Sequence, residues 1–160
     1  MCTCRQNLAS LHWQLEDHAT RKNSNYNNEI DKRIIDLNIQ NDVVILGKVN
    51  RGYLKHLYLN AYTLVFPSPF ENFAYTLVEA LCCSAAIVTT NTTAMPESCG
   101  DAALYFSPDA EEELSECIMT FLSDEKVRLK YKEMALLKSK EYPVYSEQTR
   151  QTNILLTKLL

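Results

Sequence analysis

The feature that most restricts what this chain can become is a set of short apolar runs without polar alternation, separated by stretches of helical periodicity. The clearest run is VVIL at residues 43–46, preceded by Asp42 and closed by Gly47. A strand with one wet face alternates apolar and polar side chains; a parallel strand covered on both faces does not. Residues 62–66 read as a second buried strand, stopped by Pro67, which has no N–H to give a ladder. Further strands are expected at 86–89 and 103–106.

Between these runs the spacing changes. Tyr26, Ile30, Ile34 and Leu37 recur at three and four residues, which predicts a helix with one buried face ending near Asn38. Leu54, Leu57, Tyr58 and Ala61 give a second helical face. A third helix is expected over 69–83, and a short helical turn over 96–99 with Gly100 as its C-terminal cap. Asp109 reads as the N-cap of a helix whose first turn holds Glu111, Glu112 and Glu113, where carboxylates meet the positive end of the helix dipole. Helices over 123–140 and 146–159 complete the chain, parted by Tyr142 and Pro143. The apolar patch at 11–15 and the polar run after it read as a strand and a loop. Strands alternating with helices in this way predict an α/β fold with a Rossmann-like, doubly wound parallel sheet.

At 160 residues the chain reads as one domain over 1–142 with a closing helix over 143–160. Its 46% hydrophobic and 22% charged residues are ordinary for a folded soluble protein. A net charge of −4 creates no cationic field for nucleic acid or anionic lipid. No apolar run approaches the roughly 20 residues that span a bilayer, and MCTCRQNLAS lacks the regions of a signal peptide. The cysteines, at 2, 4, 82, 83, 99 and 117, form no CxxC pair and no zinc spacing with histidine, so no metal is expected. Cys82, Cys83 and Cys117 fall in helical patterns and read as small buried apolar groups. Free thiols suit a reducing compartment, and a cytoplasmic location is expected; Asn91-Thr92-Thr93 is then a sequon by coincidence.

The stretch PSPFENFAYTLVEAL follows the strand at 62–66 and leads into a helix. The carboxyl end of a parallel strand, next to a helix N-terminus, is where open α/β sheets hold charged ligands. Glu71 and Glu79 stand there, eight residues apart. Glu71 also fits a capping box, Ser68-Pro69-Phe70-Glu71, with proline at the first helical position. Glu79 reads equally as an exposed helical glutamate or as a carboxylate able to accept both hydroxyls of a ribose. Pro96-Glu97 reads as a helix start. Backbone N–H groups near Phe73 and Ala74 would attract an anion whatever the side chains around them.

Five segments occur in one order: VVILGKV at 43–49, LKHLYLNAYTLVFPS at 54–68, ENFAYTLVEAL at 71–81, IVTTN at 87–91 and MPESCGDAALYFSPD at 95–109. In that order they resemble the C-terminal, donor-binding half of the group 1 (family 4) retaining glycosyltransferases with the GT-B fold. The closing EYPVYSEQTRQTNILLTKLL is similar to that family's last turn and helix, which packs toward the partner domain. The resemblance implies an E-x7-E motif in which Glu71 faces the hydroxyls of the donor sugar and Glu79 grips the ribose. It implies that the amides of Phe73, Ala74 and Tyr75 touch the sugar or its diphosphate, and that Ser68 lines the nucleotide pocket. It implies a nucleotide-sugar donor, no cofactor, no required metal, and a separate acceptor-binding domain.

The chain departs from the family's pattern at identifiable places. Ala74 stands where the family has glycine, and its methyl is expected to crowd a close backbone approach. Ser84-Ala85-Ala86-Ile87 replaces G-x-P-V. The family's diphosphate-binding arginine and lysine lie on an earlier strand–loop–helix that residues 1–15 do not match, and nothing here corresponds to the acceptor-binding half. Two other readings therefore stay open: a non-catalytic interaction module that keeps the fold, and a nucleotide-sugar epimerase-like half of the same architecture.

Overall fold

The computed structural model describes residues 24–47 and 49–142. The expected strand and loop before residue 24, Cys2, Cys4 and the closing helix over 143–160 lie outside the described residues.

Three parallel strands form the sheet: β1 (Leu64–Phe66), β2 (Ile87–Thr90) and β3 (Ala103–Phe106), in that spatial order. Around them run α1 (Ser24–Asp36), α2 (Arg51–Asn60), α3 (Tyr75–Cys82), α4 (Ala94–Cys99), α5 (Glu111–Ser123) and α6 (Glu125–Ser139). The expected strand, helix, strand rhythm is present, and β3 has the bounds read from sequence. Register places Leu64 beside Ile87 and Ile87 beside Ala103, so one row of side chains crosses all three strands on one face. That face packs on Tyr58, Leu77, Leu81, Met95, Cys99 and Ala135, drawn from α2, α3, α4 and α6. Val65, Val88, Leu104 and Phe106 point the other way, toward Phe121 of α5 and Tyr131 of α6. Alternation along each strand thus divides the apolar residues between two cores, which explains why no strand shows polar alternation. Phe121 and Leu77 are fully buried, and each such side chain contributes about 1.5–3 kcal/mol of transfer free energy.

Local chemistry sets several boundaries. Asn50 caps α2, its side-chain oxygen accepting from the Tyr53 N–H at 2.8 Å. Asp124 caps α6 in the same way, accepting from Lys126 and Val127. Gly100 ends α4 at φ +53°, as expected of a C-terminal glycine. Tyr62 bridges layers, donating its hydroxyl to the Phe121 carbonyl at 2.9 Å while Arg128 stacks 4.2 Å above its ring.

Several sequence expectations change, among them the start of α4, which lies at Ala94 rather than at Pro96. Residues 43–46 are not a sheet strand; Val44 and Ile45 are 58% and 60% exposed. Among the described residues the ladder ends at β1, and a strand exists only through the neighbour that accepts its hydrogen bonds. Ile30 and Ile34 of α1 are half-buried but Leu37, just past its end, is exposed, so the periodic face is only partly covered. Asp109 does not cap α5: it sits at φ +65° in the turn before it, Ala110 holds the cap position, and Glu113 instead turns back to accept from the Ser107 N–H at 2.7 Å. Cys82 is exposed and Cys83 and Cys117 are half-buried, whereas among the described residues Cys99 is the buried thiol. Helical periodicity locates cysteines on a helix, but only packing decides which face is covered.

Candidate functional site

The site begins where β1 ends. Residues 67–74 lead from β1 to α3, and α3 starts at Tyr75, six residues later than the sequence suggests. The Ser68 hydroxyl does not cap a helix: it lies 3.1 Å from the Phe70 carbonyl and 3.0 Å from Glu71 Oε1. Ser68 and Glu71 are therefore joined within a loop, with Pro69 between them.

Threonines after β2 hold this loop in place. Thr90 donates its hydroxyl to the Ser68 carbonyl at 2.6 Å, and Thr92 donates to the Pro69 carbonyl at 2.9 Å. Thr93 Oγ1 accepts from the Glu71 N–H at 3.1 Å. One residue earlier on β2, Thr89 donates to the Phe66 carbonyl at 2.9 Å. The run TTNTT thus stitches the carboxyl end of β2 to the carboxyl end of β1. Thr93 does so from φ +47° and ψ −122°, a region that a β-branched residue occupies only when its surroundings hold it. The sequence assigns these threonines no bracing role; its legible signal is a cluster of hydroxyls following a buried strand.

Beyond Glu71 the chain turns into α3. The N–H groups of Phe73 and Ala74 make no hydrogen bond among the described residues, while that of Tyr75 donates to the Phe73 carbonyl at 3.0 Å. Ala74 is 1% exposed and belongs to the apolar cluster under the sheet, so its methyl group is absorbed by the core rather than crowding the surface. Its N–H is a buried donor without a described acceptor at a helix start. Phe73 and Tyr75 are exposed, their ring centroids 4.5 Å apart, and the edge of Tyr142 meets Phe73 at 6.5 Å. Tyr142 is anchored by its own hydroxyl, which donates to the Ser98 carbonyl at 2.8 Å.

Glu79 lies on the second turn of α3, turned toward α2 rather than toward the loop. It lines a cleft of about 360 Å³ between the two helices, with Leu54 and Val78 as apolar walls and Lys55, Cys82 and Cys83 at its margin. The Tyr58 hydroxyl lies 3.5 Å from Glu79 Oε2. Burial, and then the adjacent Cys82, pushes the Cys83 thiol above its ordinary range; Lys55 pulls it down and Glu79 adds to the rise. The two carboxylates thus have separate settings: Glu71 in the threonine-stitched loop with Ser68, Glu79 in the cleft with Tyr58. Such an arrangement offers acceptors for hydroxyls and amide donors for an anion.

Comparison with known proteins places this site in a family context. The family model described as "Glycosyl transferases group 1" matches residues 23–137. O-antigen chain mannosyltransferase B of Escherichia coli is 37% identical over 83 residues, covering 52% of this chain and 22% of the relative. A Campylobacter jejuni enzyme, N-acetylgalactosamine-N,N'-diacetylbacillosaminyl-diphospho-undecaprenol 4-alpha-N-acetylgalactosaminyltransferase, is 33% identical over 112 residues, covering 68% of this chain and 30% of its own length. The chain therefore spans less than a third of these curated relatives. Among solved structures, sucrose-phosphate synthase from Thermosynechococcus elongatus superposes with TM-score 0.72 at 19% identity, over 84% of this chain and 34% of that one. A glycosyltransferase from Rickettsia africae superposes with TM-score 0.73 at 19% identity, over 85% and 37%. Both share its fold.

Proposed function

This chain belongs to the group 1 glycosyl transferases, and from that premise we propose that it supplies the donor half of a hexosyl transfer from a nucleotide-activated sugar, with retention at the anomeric carbon. The observation that carries the reading is the β1–α3 edge: a carboxylate, Glu71, fixed in a loop by β2 threonines, beside unbonded amides at the start of a helix. In this reading Glu71 accepts from hydroxyls of the donor sugar and Glu79 accepts from the ribose diol. The Phe73 and Ala74 amides meet the negative charge that develops on the diphosphate as the glycosidic bond breaks. The Tyr75 N–H joins them by leaving the Phe73 carbonyl, and Ser68 lines the pocket through the contact that already orients Glu71. The family relatives include a mannosyltransferase and an N-acetylgalactosaminyltransferase, which supports a hexosyl group as cargo.

Chemically, the protein's part is positioning and electrostatics. A loop whose carbonyls and amide are already hydrogen-bonded to threonines loses little further freedom when ligand arrives, so interaction energy is not spent ordering it. The reaction is proposed to need no cofactor and no metal, and its acceptor to bind a separate domain. Calorimetry with nucleoside diphosphate sugars, on the parent and on Glu79→Ala, tests the reading. The parent should bind and the variant should lose about 1.5–3 kcal/mol, the worth of hydrogen bonds to a charged acceptor. Equal binding by the two would sink the donor-site assignment.

Among the described residues no helix is long and apolar enough to cross a membrane.

A further inference from the structure

We infer that Lys55 is the cation that holds the phosphate end of a nucleotide in the cleft between α2 and α3. This rests on the donor-site reading and adds to it a residue that the carboxylate pair does not include.

The cleft, about 360 Å³, is within the size range of small-molecule sites. Leu54 and Val78 give it apolar walls, and its charged lining is one ammonium, Lys55, and one carboxylate, Glu79. These two groups form no direct ion pair. Among the described residues the ion pairs are Arg128 with Glu125 and Lys138 with Glu141, both elsewhere on the molecule. Yet both charges converge on the cleft, since both act on the thiol of Cys83 at its margin. An ammonium and a carboxylate that share a cleft without pairing suit a ligand with a hydroxyl-bearing part and an anionic part.

Charge makes the same demand. A diphosphate brought beside Glu79 is repelled by it, and the chain as a whole carries −4. The Phe73 and Ala74 amides offer the phosphates only partial positive charge, and Lys55 is the full counter-charge that the lining beside Glu79 offers. A lysine ammonium is a compact point charge suited to phosphate oxygens, and its four-carbon stem reaches across an apolar wall. The Tyr58 contact to one oxygen of Glu79 leaves the other for the ligand.

The experiment is calorimetry on the full chain with uridine, guanosine and adenosine diphosphates and the three matching nucleosides, comparing parent, Lys55→Gln, Lys55→Arg and Glu79→Gln. Lys55 is exposed on α2, so its variants leave the core untouched. Lys55→Gln should weaken the preferred diphosphate about tenfold, the loss of one charge-assisted contact, and change the matching nucleoside by less than about twofold. Lys55→Arg should restore most of the affinity, and raised salt should weaken the parent more than Lys55→Gln. Bound diphosphate should also slow alkylation of the exposed Cys82, which lines the same cleft, in the parent and far less in Lys55→Gln. Equal losses for nucleoside and diphosphate, or no loss for either, overturn the assignment to Lys55. If Lys55→Gln is silent while Glu79→Gln abolishes binding, the donor site stands and this inference falls. If Glu79→Gln is silent as well, or the parent binds no nucleotide, both fall.

Discussion

Replacing Ser84 with glycine should stabilise the protein, and the size of the gain follows from how α3 ends. Ser84 lies at φ +51°, in the left-handed region. Its N–H donates to the Leu81 carbonyl at 2.9 Å, and the Ala85 N–H donates to the Ala80 carbonyl at 3.0 Å. These two bonds define a Schellman termination with Ser84 at the C′ position, and the buried pair Ala80 and Ala85 supplies its apolar contact. A side chain with a β-carbon costs about 1–2 kcal/mol in that conformation. Glycine removes the cost, but its freer unfolded chain returns about 0.4–1 kcal/mol. The Ser84 hydroxyl makes no hydrogen bond among the described residues, so little else is lost. The net expectation is a gain of about 0.5–1 kcal/mol, or a rise in Tm of roughly 1–4 °C for a chain of this size. Urea unfolding followed by circular dichroism measures it, with Ser84→Val as the opposite control, since a β-branched residue tolerates positive φ least. A Ser84→Gly variant no more stable than the parent, or a Ser84→Val variant equal to it, would refute the argument from backbone conformation.

Two further outcomes are expected. Tyr142→Phe keeps the ring against Phe73 but removes the donor to the carbonyl of buried Ser98, and should cost about 1–2 kcal/mol in the same unfolding assay. Burial pushes the Cys99 thiol from 9.0 up to about 12, with Lys138 pulling it the other way. The folded protein keeps a proton there that the unfolded chain releases, so this contribution is intact below pH 9.0 and is lost as pH rises toward about 12. Stability measured across that window should fall by up to about 1.4 kcal/mol per pH unit from this group, and Cys99→Ala should flatten the fall. Burial likewise raises the Tyr105 phenol, which keeps some alkaline sensitivity in the variant.

Much of the fold could be read from residue order because it rests on short-range patterns. The largely apolar runs expected as strands at 62–66, 86–89 and 103–106 each hold one, at Leu64–Phe66, Ile87–Thr90 and Ala103–Phe106. Glu79 reads from sequence as a helical residue, and it lies within α3. The start of that helix was misplaced for a physical reason. Ser68-Pro69-Phe70-Glu71 has the local chemistry of a helix N-terminus, but Thr90, Thr92 and Thr93 take its backbone groups into hydrogen bonds across the sheet edge. Those partners are 22 to 23 residues away, beyond any local pattern.

The sequence by itself determined an α/β chain with parallel strands and its family resemblance. These depend on periodicity and residue type, which act over a few neighbours. Tertiary structure alone decided that Glu71 sits in a stitched loop and Glu79 in a cleft facing Lys55 and Tyr58. It alone decided that residues 43–46, apolar enough for a buried strand, form none among the described residues, because a ladder requires a partner and no run of residues carries its own.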